Sequence, residues 1–353
     1  MDGILKSIKT LVNCPILDAG LRIKERLQHK RFSSYSSEGQ TIRMNSRSCV
    51  AGIDGGASKT VAIIADTDGK ILGKAKAGPS NYHNIGVQAA TRAIQTALKR
   101  ARHNAGTSER PAIAVVALAG IDSKSDMITA SRFVKSSRIA QTSIVIHDSV
   151  AALYAATKGR PGIVVNAGTG SFAAGINRKG AYARAGGWGY IVSDEGSAYD
   201  IGLKAIKMAF RSFDGREKNT EVVTILKRRF RIKEIDDLVP HLYTTGLSVE
   251  QIAGLAPLVI KSARKDMISR SIIREAGTAL GELVCTVATR LHMTKDKFPV
   301  AAIGGNFRSG DYLLRTLKFK INQVCPYARV IQTNVEPAVG SLSLALEALK
   351  KAD

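Results

Sequence analysis

The stretch Cys49-Val50-Ala51-Gly52-Ile53-Asp54-Gly55-Gly56-Ala57-Ser58-Lys59-Thr60 runs directly into Val61-Ala62-Ile63-Ile64-Ala65-Asp66. Two short apolar runs flank a turn in which Gly55 and Gly56 carry no Cβ. A backbone of that kind lets its amides approach a phosphate closely. Asp54 stands at the end of the first run, where a carboxylate can hold Mg²⁺ through water beside such phosphates. Ser58, Lys59 and Thr60 add donors on the far side of the turn. The stretch is not a P-loop. That motif needs Gly immediately before Lys-Ser/Thr and a helix afterwards, whereas here Ser58 precedes Lys59 and a strand follows. Taken alone, it also reads as an ordinary glycine hairpin.

Two further turns bear on that choice. Ile163-Val164-Val165-Asn166-Ala167-Gly168-Thr169-Gly170-Ser171-Phe172-Ala173-Ala174-Gly175-Ile176 is again strand, glycine turn, strand, and Val300-Ala301-Ala302-Ile303-Gly304-Gly305-Asn306 is an apolar strand ending in a Gly pair. The three resemble the phosphate 1, phosphate 2 and adenosine segments of the actin/hexokinase/Hsp70 ATPase superfamily. Within it, Gly186-Gly187-Trp188-Gly189-Tyr190-Ile191-Val192-Ser193-Asp194-Glu195-Gly196-Ser197-Ala198 is similar to the GGWG…GDEGSA motif of the N-acetylglucosamine kinase/BadF-type ATPase family. The resemblance covers residues 49–350. It implies an α/β, two-lobed actin-like (ribonuclease H-like) fold of duplicated βββαβα units about a central cleft. Ala57 and Ser58 stand where the family usually has Gly and Thr, and each keeps a small or hydroxyl-bearing side chain.

Composition limits the alternatives. With 353 residues, 44% apolar and 23% charged, the chain can build two domains with a substantial core. Cys14, Cys49, Cys285 and Cys325 form no CxxC pair and no metal-ligand spacing, which suits a reducing, cytoplasmic setting. Cys325, just before Pro326, is the one thiol expected near a surface. No uncharged apolar run reaches the roughly 18 residues a membrane helix needs. A net charge of +23 raises the question of nucleic acid, but Lys and Arg are dispersed and aromatics are only 5%. A solvated basic surface that attracts anionic nucleotide accounts for the charge more simply.

Residues 1–48 carry no motif. They read as an N-terminal extension, and translation starting at Met44 is an equally plain reading. From 49 the pattern predicts strands at 49–54, 61–66 and 70–76, the latter two joined at Asp68-Gly69. A helix over 85–103, a strand at 113–118, a helix over 124–137 and a strand at 144–147 follow. Strands at 163–167, 171–176 and 181–184 repeat the plan, then an all-helical insertion covers about 195–295. Strand 299–303, a helix near 310–317, strand 329–333 and a last helix over 338–350 complete it. The expected division is a first lobe of 49–147 plus 338–353 and a second of 148–337.

Phosphoryl transfer needs cradled phosphates, Mg²⁺, an aligned hydroxyl and a carboxylate to take its proton. The resemblance implies an ATP-dependent kinase of an amino sugar or related hexose, working with ATP and Mg²⁺ in the cleft, and a homodimer. Asp122 matches the family's catalytic base, though it can equally cap the helix that follows. Asn81, Asp148, Gly187, Asp194 and Glu195 match the sugar-binding loops, with Asp148 also a candidate N-cap. Gly55, Gly56, Ser58, Lys59, Thr60, Gly168, Thr169, Gly170, Gly304 and Gly305 fall to the nucleotide and Asp54 to Mg²⁺ through water. His83 and His147 read as isolated. Two other readings share the fold: a BadF-type ATPase that activates a dehydratase or reductase, and a sugar-sensing regulator without catalysis. A nucleic-acid-binding protein exploiting the charge is a third.

Overall fold

The computed structural model describes residues 48–350. The N-terminal extension apart from Ser48, with Met44 and Cys14 in it, lies outside the described residues. The chain divides into two compact units. The first holds the described residues through Arg160, then Arg178–Tyr182, then those from Val335 onward; the second holds Pro161–Asn177 and Ala183–Asn334.

The first unit is built on β1 (Cys49–Gly55), β2 (Thr60–Asp66), β3 (Ile71–Ala77), β4 (Ile113–Leu118) and β5 (Thr142–His147), in the sheet order β3-β2-β1-β4-β5. β1 pairs antiparallel with β2 and parallel with β4, and β4 pairs parallel with β5. The unbroken apolar run of β4 is buried at every position, as a strand covered on both faces requires. Helices α1 (Tyr82–Asn104) and α2 (Lys124–Ser136) cover one face. Ile94, Ala97, Leu98, Ala101, Met127, Ala130 and Phe133 meet Ala51, Ile53, Ala114 and Val116 there. Helix α1 starts earlier than the apolar spacing suggests, at Asn81 as N-cap, because Gly86 at φ +78° breaks it into a short first piece and the amphipathic remainder.

The other face of the first sheet carries the last helix of the chain's described residues, α11 (Pro337–Leu349). Its Ser341 hydroxyl donates to Ile53 O at 3.0 Å. Helix α3 (Asp148–Thr157) crosses it so closely that a Cβ on Gly340 would lie 1.9 Å from Ala151 O. That packing corrects the expected division after 147: α3 is part of the first unit, and the break falls between Arg160 and Pro161.

The second unit repeats the sheet. β6 (Gly162–Ala167), β7 (Ser171–Ile176), β8 (Tyr182–Gly186), β9 (Pro299–Ile303) and β10 (Arg329–Gln332) lie in the order β8-β7-β6-β9-β10. β6 is antiparallel to β7 and parallel to β9, and β9 is parallel to β10. The insertion is helical throughout: α4 (Ala198–Phe213), α5 (Glu221–Phe230), α6 (Leu238–Tyr243), α7 (Val249–Ala253), α8 (Ala256–Ser262) and α9 (Met267–Arg290). Helix α10 (Asp311–Val324) runs past the expected end near 317 because Leu317 and Ile321 continue its buried stripe. Cys325 is fully buried at its end, against expectation, and its thiol is hydrogen-bonded to that of Cys285 on α9. Among the described residues all cysteines are buried and free, and no helix is long and apolar enough to cross a membrane.

Candidate active site

In the first unit, the parallel strands β1, β4 and β5 end side by side, and the polar residues gather where they end. Ligands of open α/β sheets bind at this carboxyl edge. In register, Asp54 lies opposite Ala117 and Leu118 opposite His147, so Asp54, Asp122 and His147-Asp148 share one sheet edge.

The first glycine turn is closed by Gly56 N donating to Lys59 O at 2.9 Å. Gly55 is required by close packing: a Cβ there would lie 2.2 Å from Ser80 Oγ and 2.6 Å from Leu118 Cδ2. Gly56 has room for a Cβ, and its amide is engaged within the turn. Ser58 and Lys59 are exposed. Thr60 departs from the expected nucleotide contact. It is buried, and its hydroxyl donates to Gly78 O (2.7 Å) and Ser80 Oγ (2.9 Å), fastening the turn to the following loop. Gly56 O accepts from the amides of Ser80 and Asn81, which seats Asn81 beside the turn. Asn81 Oδ1 caps α1 through His83 N, leaving its amide NH₂ group for a ligand. His83 Nε2 lies 3.0 Å from Gly120 O and 3.2 Å from Asp126 Oδ1, tying this loop to the segment after β4.

Asp122 and Asp148 each had two readings, and the helix ends separate them. The N-cap of α2 is Ser123, in a capping box with Asp126, and Asp126 Oδ2 also accepts from Asp122 N. The N-cap of α3 is His147, whose ring accepts from Ser149 N. Neither aspartate carboxylate is therefore spent on a cap. The Asp122 side chain is 31% exposed, with Oδ1 3.4 Å from His147 Nε2. His147 is thus not isolated. Its Nδ1 lies 2.7 Å from Ser149 Oγ, which lies 2.8 Å from Tyr182 OH.

Asp54 is an acid under electrostatic stress. Burial, then the neighbouring Asp148 carboxylate, push its pKa up to about 7, with Lys59 opposing and Glu336 adding slightly. Asp148 Oδ1 is buried, sits 2.8 Å from His147 Nδ1 and accepts no hydrogen bond.

In the second unit, the turn Gly168-Thr169-Gly170 is closed by Gly168 N to Gly170 O (3.0 Å). Its carbonyls accept from Ala198 N and Tyr199 N, so the turn rests on the first residues of α4. Gly304, at φ +110°, brings the end of β9 against β6, where a Cβ would lie 2.3 Å from Ala167 O. Gly305 begins a short 3-10 turn over Asn306–Arg308.

The acid pair after the tryptophan segment splits. Glu195 is exposed, whereas Asp194 is 8% exposed. Asp194 takes the left-handed backbone at φ +67°, rare for a residue with a Cβ. Its Oδ1 accepts from Ser171 N at 3.1 Å, and a Cβ on Gly170 would lie 2.7 Å from its Oδ2. The expected sugar ligand therefore buttresses the second glycine turn. Gly187, at φ +78°, belongs to the loop that carries exposed Trp188. Asp194→Ala is expected to leave the buried Ser171 amide unpaired and to lower stability by about 1–3 kcal/mol in chemical unfolding. An unchanged unfolding midpoint, with only the sugar KM raised, restores Asp194 to the sugar.

The residues that motif spacing missed are His147, Ser149 and Tyr182. For His147 one signal was present: parallel neighbouring strands put the last residue of β5 beside the end of β4 and the residues that follow it.

The chain is similar to known proteins over most of its length. A model described as the BadF/BadG/BcrA/BcrD ATPase family matches residues 51–345. The N-acetylmuramic acid/N-acetylglucosamine kinase of Clostridium acetobutylicum is 33% identical over 298 residues, 84% of this chain and 97% of that protein. The N-acetyl-D-glucosamine kinase of Dictyostelium discoideum is 30% identical over 318 residues, 86% of this chain and 100% of that protein. A crystal structure of a candidate N-acetylglucosamine kinase from Chromobacterium violaceum superposes with a TM-score of 0.70 at 27% identity, over 85% of this chain and 99% of that one. A match spanning 51–345, with relatives covered almost end to end, makes this chain a member of the BadF/BadG/BcrA/BcrD ATPase family.

Proposed function

We propose that the chain transfers the γ-phosphoryl group of ATP to a hydroxyl of N-acetylglucosamine or a closely related amino sugar. The carrying observation is that two kinases of such sugars align with it along 97% and 100% of their own length. In this reading Asp122 is the general base. It takes the hydroxyl proton as the sugar oxygen attacks the γ-phosphorus, and ADP leaves. Its place after β4, with capping done by Ser123, supports the role. The amide of Asn81 orients a sugar hydroxyl, and Glu195, exposed beside the second turn, is a second sugar ligand in this reading. The turns at Gly55–Lys59 and Gly168–Gly170, with Gly304 and Gly305, hold the nucleotide.

Asp54 and Asp148 fit a divalent cation. The Asp148 carboxylate adds to the cost of ionising Asp54, and a buried carboxylate oxygen without a donor is costly, so a cation relieves both. When bound, Mg²⁺ neutralises phosphate charge; Asp54, through water, and Asp148 are the residues that would hold it. The same reading takes the protein as a cytoplasmic homodimer, its buried free thiols suiting a reducing compartment, and sedimentation checks the dimer.

Coupled ADP release tests the reading across N-acetylglucosamine, glucosamine, glucose and N-acetylmannosamine. ADP release that requires an amino sugar is expected. Release that ignores every sugar overturns it and favours the ATPase-activator reading.

A further inference from the structure

We infer that His147 is a positioning residue for phosphoryl transfer: it fixes the carboxylate plane of Asp122 so that one oxygen faces the sugar hydroxyl. The inference rests on Asp122 being the base. Three segments of the first unit meet in the arrangement: Asp122 follows β4, His147 closes β5 and Tyr182 ends the Arg178–Tyr182 segment.

The hydrogen bonds settle the tautomer. A backbone N–H can only donate, so His147 Nδ1, at 3.1 Å from Ser149 N, is the acceptor of the α3 cap. In the neutral ring the proton then sits on Nε2, which points at Asp122 Oδ1 from 3.4 Å. That contact is long, as such bonds often are before substrate draws the site together. The ring itself cannot swing. It is 91% covered, its Nδ1 is 2.7 Å from Ser149 Oγ, and Ser149 Oγ is held by Tyr182 OH at 2.8 Å. A lone histidine used only as a helix cap would not need its second nitrogen aimed at the base. Holding one carboxylate oxygen restricts the turning of the carboxylate, which shortens the search for an attack geometry.

Two substitutions separate positioning from structure. His147→Asn keeps a good cap acceptor for Ser149 N but is too short to reach Asp122. His147→Gln carries an amide N–H to about the position of Nε2. His147→Asn is expected to lower kcat by about 10–100-fold, the range for groups acting through another residue, with KM for sugar and ATP within about twofold and Tm nearly unchanged. His147→Gln is expected to recover most of the lost kcat. Added to Asp122→Asn, His147→Asn should lower kcat no further, since both act through one group.

Wild-type kcat in His147→Asn overturns the inference, as does equal loss in the Asn and Gln variants. If Asp122→Asn itself turns over normally, it is the assignment of the base that fails. If Asp122→Asn is crippled and His147→Asn is not, the base stands and the positioning role falls.

Discussion

Asp122→Asn is expected to lower kcat by about 10²–10⁴-fold, the usual reach of a general base. The asparagine keeps shape and a hydrogen-bonding oxygen, so the pocket is preserved while its capacity to take a proton is lost. Stability should change little. The helix that follows is capped by Ser123 and Asp126, and the Asp122 amide bonds Asp126 Oδ2 irrespective of the side chain. Affinities for sugar and for nucleotide, read by calorimetry, should stay within a few-fold. A variant that loses sugar binding, yet turns over normally once saturated, reassigns Asp122 to recognition.

That experiment is sharp because of a distinction the sequence could not make. An aspartate between an apolar strand and a helix is as good a cap as a base, and Asp122 and Asp148 both stood in that position. Which residue caps depends on one backbone torsion, and Ser123 and His147 take the extended conformation instead. The strands were legible for the opposite reason. Buried strands are short apolar runs with few other readings, and Ile113–Leu118, Ser171–Ile176 and Pro299–Ile303 coincide with the expected bounds. Duplication was legible too, since two glycine turns follow strands of equal design.

Burial set by distant chain was not legible. Thr60 looked like a phosphate donor until Gly78 and Ser80 folded onto its hydroxyl. Asp194 looked like a pocket acid, yet the turn at Gly170 and Ser171, more than 20 positions earlier, closes over it. Cys325 next to a proline looked exposed, and α9 covers it. Local pattern names the chemistry a residue can do, and packing decides whether it faces a substrate.

Asp54→Asn is expected to make the protein more stable and inactive at once. In the folded chain, burial and Asp148 lift the Asp54 carboxyl from an ordinary 3.8 to about 7. Folding therefore favours the protonated acid, and between about pH 4 and pH 7 the folded state holds a proton that the unfolded chain has released. The penalty for ionising Asp54 is absent below pH 4, grows through that window, and is fully present above pH 7. At about 1.4 kcal/mol per pH unit its ceiling is about 4 kcal/mol. A neutral isostere escapes it, so chemical unfolding without divalent cation should show Asp54→Asn gaining up to about that amount at pH 8 and almost nothing at pH 4. Adding Mg²⁺ at pH 8 should stabilise the wild type and close the gap, because a cation that binds only the folded state shifts unfolding by mass action. Activity should be lost at every pH, since the residue proposed to hold the cation beside the phosphates is gone. A stability difference that is flat from pH 4 to pH 8, or one that Mg²⁺ leaves unmoved, removes Asp54 from the cation site and leaves it a half-buried acid of the β1 edge.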